Sequence, residues 1–282
     1  MTKRPLRMSK KRHGEPLVSL DFSPEETLRY SRNLLLPEVG LAGQQRFRSG
    51  RALVVGAGGI GSAALLYLAA AGVGHLGIAE GDRVELSNLQ RQILHRVEDV
   101  GRPKCESARD SLTALNPHCR VETYGVRLDA ANVRETLRGY EVVLDASDNF
   151  ETRFLVSDCC RAAKIPLISA SALGFQGQLL VVDPRRGSPC YRCLMPEPPP
   201  PGAVPTSRQV GIMGAVAGVM GCLQALEALK LLLGLESDLT RRLLSYDGLK
   251  CRFHTMKRVP APDCPGCGER PGATGRAHQA GT

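Results

Sequence analysis

The chain predicts an α/β fold: a doubly wound, mainly parallel sheet with antiparallel strands added towards the carboxyl end, plus a structural zinc site. Three observations carry this. Short apolar runs alternate with helical segments along most of the chain, a glycine-rich turn follows the first run, and two C-x-x-C pairs stand far apart near the end.

The elements follow in order. Residues 1–20 read as a disordered basic arm, because Lys3, Arg4, Arg7, Lys10, Lys11 and Arg12 crowd a segment without an apolar stretch. Ser23-Pro24-Glu25-Glu26 reads as a helix start, with serine at the cap and acids in the first turn, and the helix is expected to carry Arg29, Tyr30 and Arg32. Strand-like runs recur at Ala52–Val55, Leu76–Ala79, Val121–Tyr124, Val142–Asp145 and Leu167–Ser169, with helical segments such as Ala63–Ala71 and Pro103–Leu115 between them. Gly177–Val182, Arg242–Tyr246 and Lys250–Met256 read as the antiparallel additions. The apolar stretch Val210–Leu226 is broken by four glycines and Gln224, which suits a buried or interface helix better than a membrane span. Met195–Gln209 holds six prolines and is expected to be a long surface loop, neither helix nor central strand. Residues 269–282 read as a disordered tail, leaving 21–268 as one domain.

Composition sets limits. With 282 residues and 43% hydrophobic content the chain can bury a large core, which excludes wholesale disorder. The formal charge of +9 resembles a nucleic-acid signal until it is located, since six of the positive charges lie before residue 14 and the rest of the chain is only mildly basic. No nucleic-acid partner is expected. Neither a secretory signal nor a membrane anchor is visible, so a cytoplasmic protein is expected. Ten cysteines in a reducing compartment point to metal ligation or chemistry rather than disulfides. Cys190, Cys193, Cys264 and Cys267 supply four thiolates, a closed tetrahedral zinc site with no open position for a substrate. The zinc is therefore expected to be structural, clamping 190–193 to 264–267. The other six cysteines are expected to be packing residues.

The turn Gly56-Ala57-Gly58-Gly59-Ile60-Gly61 follows an apolar run and opens a helical segment, as a Rossmann-like strand, phosphate turn and helix would. Glu80 closes the next run, 19 residues past Gly61, where a βαβ unit places an acid on the ribose. Asn88, Arg91 and Lys104 add two cations and an amide that a dinucleotide does not need, so ATP is favoured over NAD. Asp148 follows the run Val142–Asp145 at the ligand-binding edge of such sheets, and two roles stand open for it, holding magnesium or capping a helix.

Seven blocks in order carry a resemblance: Arg29-Tyr-Ser-Arg32, Val55-Gly-Ala-Gly-Gly-Ile-Gly61, Ser87-Asn-Leu-Gln-Arg-Gln92, Val100-Gly-Arg-Pro-Lys104, Asp148-Asn-Phe150, Cys190-Tyr-Arg-Cys-Leu194 and Gly221-Cys-Leu-Gln-Ala-Leu-Glu227. Over roughly residues 22–268 the chain resembles the ThiF/MoeB/HesA family, bacterial relatives of ubiquitin-activating enzymes. The resemblance implies an adenylyltransferase that uses ATP to activate the carboxyl-terminal glycine of a ubiquitin-like sulfur carrier with a Gly-Gly end, releasing pyrophosphate, in thiamine or molybdopterin-type cofactor synthesis. It gives Gly56, Gly58, Gly59 and Gly61 to the phosphates, Glu80 to the ribose, Asn88, Arg91 and Lys104 to the triphosphate and Asp148 to magnesium. It implies a homodimer in which Arg32 reaches the partner's site, and a crossover loop at 195–210 covering the carrier's tail.

Two departures matter. Glu80 stands where the family usually has aspartate. Ser207 stands where relatives commonly carry a cysteine that links covalently to the carrier, and a serine forms neither persulfide nor acyl disulfide. With no rhodanese-like extension after residue 267, the expected enzyme stops at the acyl-adenylate and leaves sulfur delivery to a separate sulfurtransferase. The alternatives are an NAD-dependent oxidoreductase, which accounts for the glycine turn and Glu80 alone, and a non-catalytic binder of a ubiquitin-like protein.

Overall fold

The computed structural model describes residues 22–200 and 202–268, so the expected arm at 1–20 and tail at 269–282 lie outside the described residues. Helix α1 (Pro24–Arg29) begins as its sequence dictates. The Ser23 hydroxyl accepts from the Glu26 N–H at 3.1 Å, and the Glu26 carboxylate accepts from the Ser23 N–H at 2.9 Å. It stops earlier than expected, because Tyr30 leaves helical geometry to bury its ring, where its hydroxyl accepts from Asn116 Nδ2 at 2.9 Å. Arg32 therefore rides on a separate turn, α2 (Ser31–Leu34), and α3 (Gly40–Ser49) leads into the sheet.

The alternation then unfolds as β1 (Arg51–Val55), α4 (Gly59–Ala71), β2 (His75–Ala79), α5 (Lys104–Leu115), β3 (Arg120–Tyr124), α6 (Val133–Thr136), β4 (Val142–Asp145), α7 (Phe150–Ala162) and β5 (Leu167–Leu173). After β5 the pattern changes. Strand β6 (Gln176–Val182) turns straight back, α8 (Tyr191–Leu194) and α9 (Ser207–Val210) bracket the proline-rich loop, α10 (Gly214–Leu232) crosses the sheet, and the hairpin β7 (Arg242–Asp247) and β8 (Arg252–Lys257) ends the order. The eight strands form one sheet in the order β3-β2-β1-β4-β5-β6-β7-β8, the first five parallel and the last three antiparallel. The predicted mainly parallel fold with antiparallel additions is what forms.

Both faces of the central parallel strands are covered, so β1, β2, β4 and the first half of β5 are buried at nearly every position rather than at alternate ones, while the edge strand β3 is only partly buried. Ala52, Val54, Leu76, Ile78, Leu144 and Ile168 point to the layer that holds α4, α5 and α10, while Leu53, Val55, Val143 and Leu167 point to the layer that holds α6 and α7. Each fully buried leucine or isoleucine contributes about 1.5–3 kcal/mol of burial.

Two expectations are corrected here. The proline-rich segment ends in a helical turn at Ser207–Val210, since the prolines stop at Pro205 and Thr206 caps the turn with Gln209. The apolar stretch becomes helical only from Gly214, after Gly211 has turned the backbone at φ +79°, and runs on to Leu232. By length and composition α10 could cross a membrane, yet more than half of it is buried within the fold, as for a core helix. Its Gly221 is required by packing: a Cβ there would lie 2.2 Å from the Ile60 carbonyl oxygen on α4.

Candidate active site

The strand order reverses between β1 and β4, with Val55 and Asp145 in register at their carboxyl ends. Beyond such a reversal neighbouring connections diverge to opposite faces and leave a crevice. Here that crevice is a cavity of about 740 Å³ lined by the turn glycines Gly56, Gly58 and Gly59, by Glu80, Arg91 and Lys104, and by Asp148. The turn closes tightly enough that Gly56 takes φ +95° and a Cβ on Gly61 would fall 1.9 Å from the Gly56 carbonyl oxygen. Gly61 is not in the cavity wall; its part is to let the turn form.

Glu80 reaches back to the turn. Its Oε2 accepts from the Ala57 N–H at 3.0 Å and its Oε1 from the Asp82 N–H at 2.8 Å. Lys104 opens α5 and is buried, its Nζ 3.4 Å from Asp82 Oδ2 and 4.0 Å from Glu80 Oε2. The two carboxylates hold the ammonium in place at the cavity wall beside the turn. Arg91 lies against Gly59 and donates to the Ser87 carbonyl at 3.1 Å. Gln92, next along the chain, lines the cavity near Gly58 and is buried with its Oε1 unpartnered among the described residues.

Of the two roles open to Asp148, capping the helix falls to its neighbour. Asn149 caps α7, its Oδ1 accepting from the Thr152 N–H at 2.8 Å, whereas Asp148 is exposed in the cavity wall with no hydrogen bond or ion pair among the described residues. Behind it Asp145 is fully buried, accepting from Ser147 and from the Ser169 hydroxyl at 2.8 Å, with Arg153 Nε 3.5 Å away. Arg153 donates through Nη2 to the Ser147 carbonyl at 2.7 Å and lines the cavity, so a cationic framework holds the strand end that carries Asp148. Sequence reasoning passed over Arg153, although it stands five residues after Asp148, within the helix that follows.

Two predicted site residues lie elsewhere. Asn88 caps its own turn, accepting from the Glu85 N–H at 3.1 Å, and is outside the cavity lining. Arg32 is exposed on α2 and is likewise outside the lining of its own chain's cavity. The proline-rich loop does reach the site: Val204, Pro205, Thr206 and Ser207 form part of the wall, opposite strand residues of β5, β6 and β7 such as Ser171, Gln178 and Ser245.

The predicted metal ligands converge. The Sγ atoms of Cys190, Cys193, Cys264 and Cys267 all lie within 4.8 Å of one another, with separations of 3.9, 3.5 and 3.2 Å for the pairs 190–193, 190–264 and 193–267. A tetrahedral zinc with Zn–S near 2.3 Å needs sulfurs about 3.8 Å apart, so four thiolates in this arrangement fit the ion. None of the four thiols lines the cavity. Arg192 between the first pair ties α8 to α7, its Nη2 2.8 Å from Asp158 Oδ2 and its guanidinium over the Phe154 ring at 4.8 Å. Of the other six cysteines, Cys105, Cys119 and Cys160 are buried as expected of packing residues, while Cys251 is exposed at the β7–β8 turn.

With this geometry in view, the description of the ThiF family matches residues 30–266. The chain belongs to the ThiF family. Among its relatives it is 48% identical over 252 residues to the SAMP-activating enzyme E1 of Haloferax volcanii, covering 89% of this chain and 93% of that protein. It is also 48% identical over 254 residues to the sulfur carrier protein adenylyltransferase of Thermus thermophilus, covering 89% and 94%. A longer relative, adenylyltransferase and sulfurtransferase MOCS3-1 of Zea mays, is 48% identical over 259 residues, but the chain spans only 55% of its length. Among solved structures, E. coli MccB with MccA-N7isoASN aligns with a TM-score of 0.76 over 85% of this chain and 74% of that one, at 21% identity, a likeness of fold. The glycine turn, Arg91, Lys104, Asp148, Cys190, Cys193 and Cys264 lie within the stretch matched to the ThiF family, and Cys267 stands one residue past its end.

Proposed function

We propose that the protein is an ATP-dependent adenylyltransferase that activates the carboxyl-terminal glycine of a ubiquitin-like sulfur carrier protein, for thiamine or molybdopterin-type cofactor synthesis. The observation that carries this is the convergence of the glycine turn, two cations and an unpartnered carboxylate on one cavity whose far wall is a loop and three strands. A nicotinamide cofactor would leave Arg91 and Lys104 facing nothing they are needed for, and membership of the ThiF family removes the support for that alternative.

The chemistry asks for alignment and charge. A carboxylate is already nucleophilic at neutral pH, so no general base is needed. The carrier's terminal oxygen bonds to the α-phosphorus, the bond from that phosphorus to the oxygen bridging to the β-phosphate breaks with its electron pair, and pyrophosphate leaves. The turn's N–H groups and Glu80 hold phosphates and ribose, while Arg91 and Lys104 stabilise charge gathering on the pyrophosphate. Asp148 would hold magnesium, which supplies further neutralisation of phosphate charge; a single free carboxylate fits an ion that takes its remaining ligands from phosphates and water. The loop at 195–210 would cover the carrier's Gly-Gly tail, and Arg32 would complete the site of a second copy in a homodimer. A separate sulfurtransferase would then deliver sulfur in the cytoplasm, where reducing conditions keep the four thiolates available for zinc.

Exchange of labelled pyrophosphate into ATP that appears only when a carrier ending in Gly-Gly is present is the expected result. No exchange with any such carrier would favour a protein that only binds ubiquitin-like partners. Ser207 lines the cavity, yet its hydroxyl makes no hydrogen bond with the described residues. Ser207→Ala is therefore expected to leave adenylate formation near wild type, and a large loss would show that the hydroxyl takes part.

A further inference from the structure

His95 belongs to none of the roles above, yet it is buried at the back of the glycine turn. Its Nε2 lies 3.0 Å from the Ala57 carbonyl oxygen and its Nδ1 2.9 Å from the Ser107 hydroxyl, on α5 one turn beyond Lys104. A carbonyl only accepts, so Nε2 carries the proton in either charge state of the ring, while Nδ1 faces a Ser107 hydroxyl that also bonds Asp99. Burial lowers the imidazole's pKa from its ordinary value, with Lys104 adding to it, against the opposing pull of the Ala57 carbonyl bond and of Asp99 and Glu80, and so favours the neutral ring.

The consequence follows from the peptide plane. The Ala57 carbonyl and the Gly58 N–H belong to one rigid trans peptide and point in opposite directions. Fixing the carbonyl on His95 therefore fixes the N–H of Gly58, which lines the cavity and makes no hydrogen bond with the described residues. The preceding peptide is fixed as well, because the Ala57 N–H is held by Glu80 at 3.0 Å. We propose that His95 is a positioning residue that locks the Ala57–Gly58 peptide with its free N–H aimed at the nucleotide phosphates, and so sets the affinity for ATP. This rests on the ATP site proposed above.

Two substitutions separate positioning from packing, because the amide nitrogen of glutamine reaches about as far as Nε2 and that of asparagine only about as far as Nδ1. His95→Gln keeps a donor for Ala57 and loses the Ser107 contact; His95→Asn does the reverse. By calorimetry His95→Gln is expected to bind ATP within about threefold of wild type and His95→Asn about tenfold more weakly, with similar falls in melting temperature. Equal ATP affinities for the two variants, or a tenfold loss in His95→Gln, would overturn the inference. Should the asparagine variant not fold, His95→Leu, which keeps bulk and offers no donor to Ala57, takes its place with the same expected loss of about tenfold. Wild-type protein that binds no ATP would instead bring down the ATP reading, and the inference with it.

Discussion

Replacing Lys104 by alanine is expected to lower carrier-dependent pyrophosphate exchange by about 100- to 1,000-fold, the cost of removing one preorganised charge from a developing anion. Two independent facts make this residue the sharpest probe. Its ammonium is buried beside the turn, where a low dielectric strengthens its effect on phosphate, and it is held by Asp82 and Glu80 rather than free to wander. The same pairing means that Lys104→Ala takes a cation from Glu80 and leaves Asp82 with Arg127 alone, so some stability is lost too. Arg91→Ala controls for this: among the described residues the Arg91 side chain makes one hydrogen bond, to the Ser87 carbonyl, and its loss should leave the melting temperature almost unchanged while adenylation falls by a similar factor. Unchanged turnover in both variants, measured beside thermal melts, would remove these cations from the reaction.

Stripping zinc with a chelator, or Cys264→Ser, is expected to lower the melting temperature on the order of 10 °C, because four thiolates drawn from two distant segments give up several kcal/mol of folding energy when the ion leaves. ATP affinity should change little, since none of the thiols lines the cavity. Carrier binding should suffer more, because Tyr191, Leu194 and Met195, beside the first thiol pair, do form part of the wall. Calorimetry with ATP before and after chelation, set against the melt, checks this. Loss of ATP binding with an unmoved melting temperature would make the metal part of the nucleotide site.

Much of this was legible in the chain, for definite reasons. Four of the five parallel strands are mostly apolar and bounded by helices, so their identity and order of appearance follow from pattern; the edge strand β3, with Arg120, Glu122 and Thr123, is placed by its position between helical segments. The cysteine pairs signalled their convergence because C-x-x-C already fixes half a tetrahedron. What pattern could not show were contacts made by ordinary residues. Nothing in the sequence near Tyr30 says that its ring will break the first helix by seeking Asn116, and the neighbouring Asp148 and Asn149 are both good caps, so only the bond to Thr152 separates their roles. Arg153 and His95 escaped notice because each acts on backbone carbonyls, which leave no trace in composition. Asn88 shows what pattern leaves undetermined: its oxygen accepts from the Glu85 N–H and fixes its own turn, outside the cavity lining, a local bond that the block of residues around it does not announce.

The change of strand direction after β5 has a consequence for what can enter. In a sheet that stays parallel, each strand on the ligand edge runs into a helix, and those helices close the crevice to a compact metabolite. Here β5 extends to Leu173 and folds back directly into β6, so the crevice continues sideways over open strands as far as Ser245 on β7. The lining therefore reaches well past the glycine turn, over β5, β6 and β7 and under Val204–Ser207, and on the function proposed above that added length would receive the tip of a polymer whose globular body stays outside.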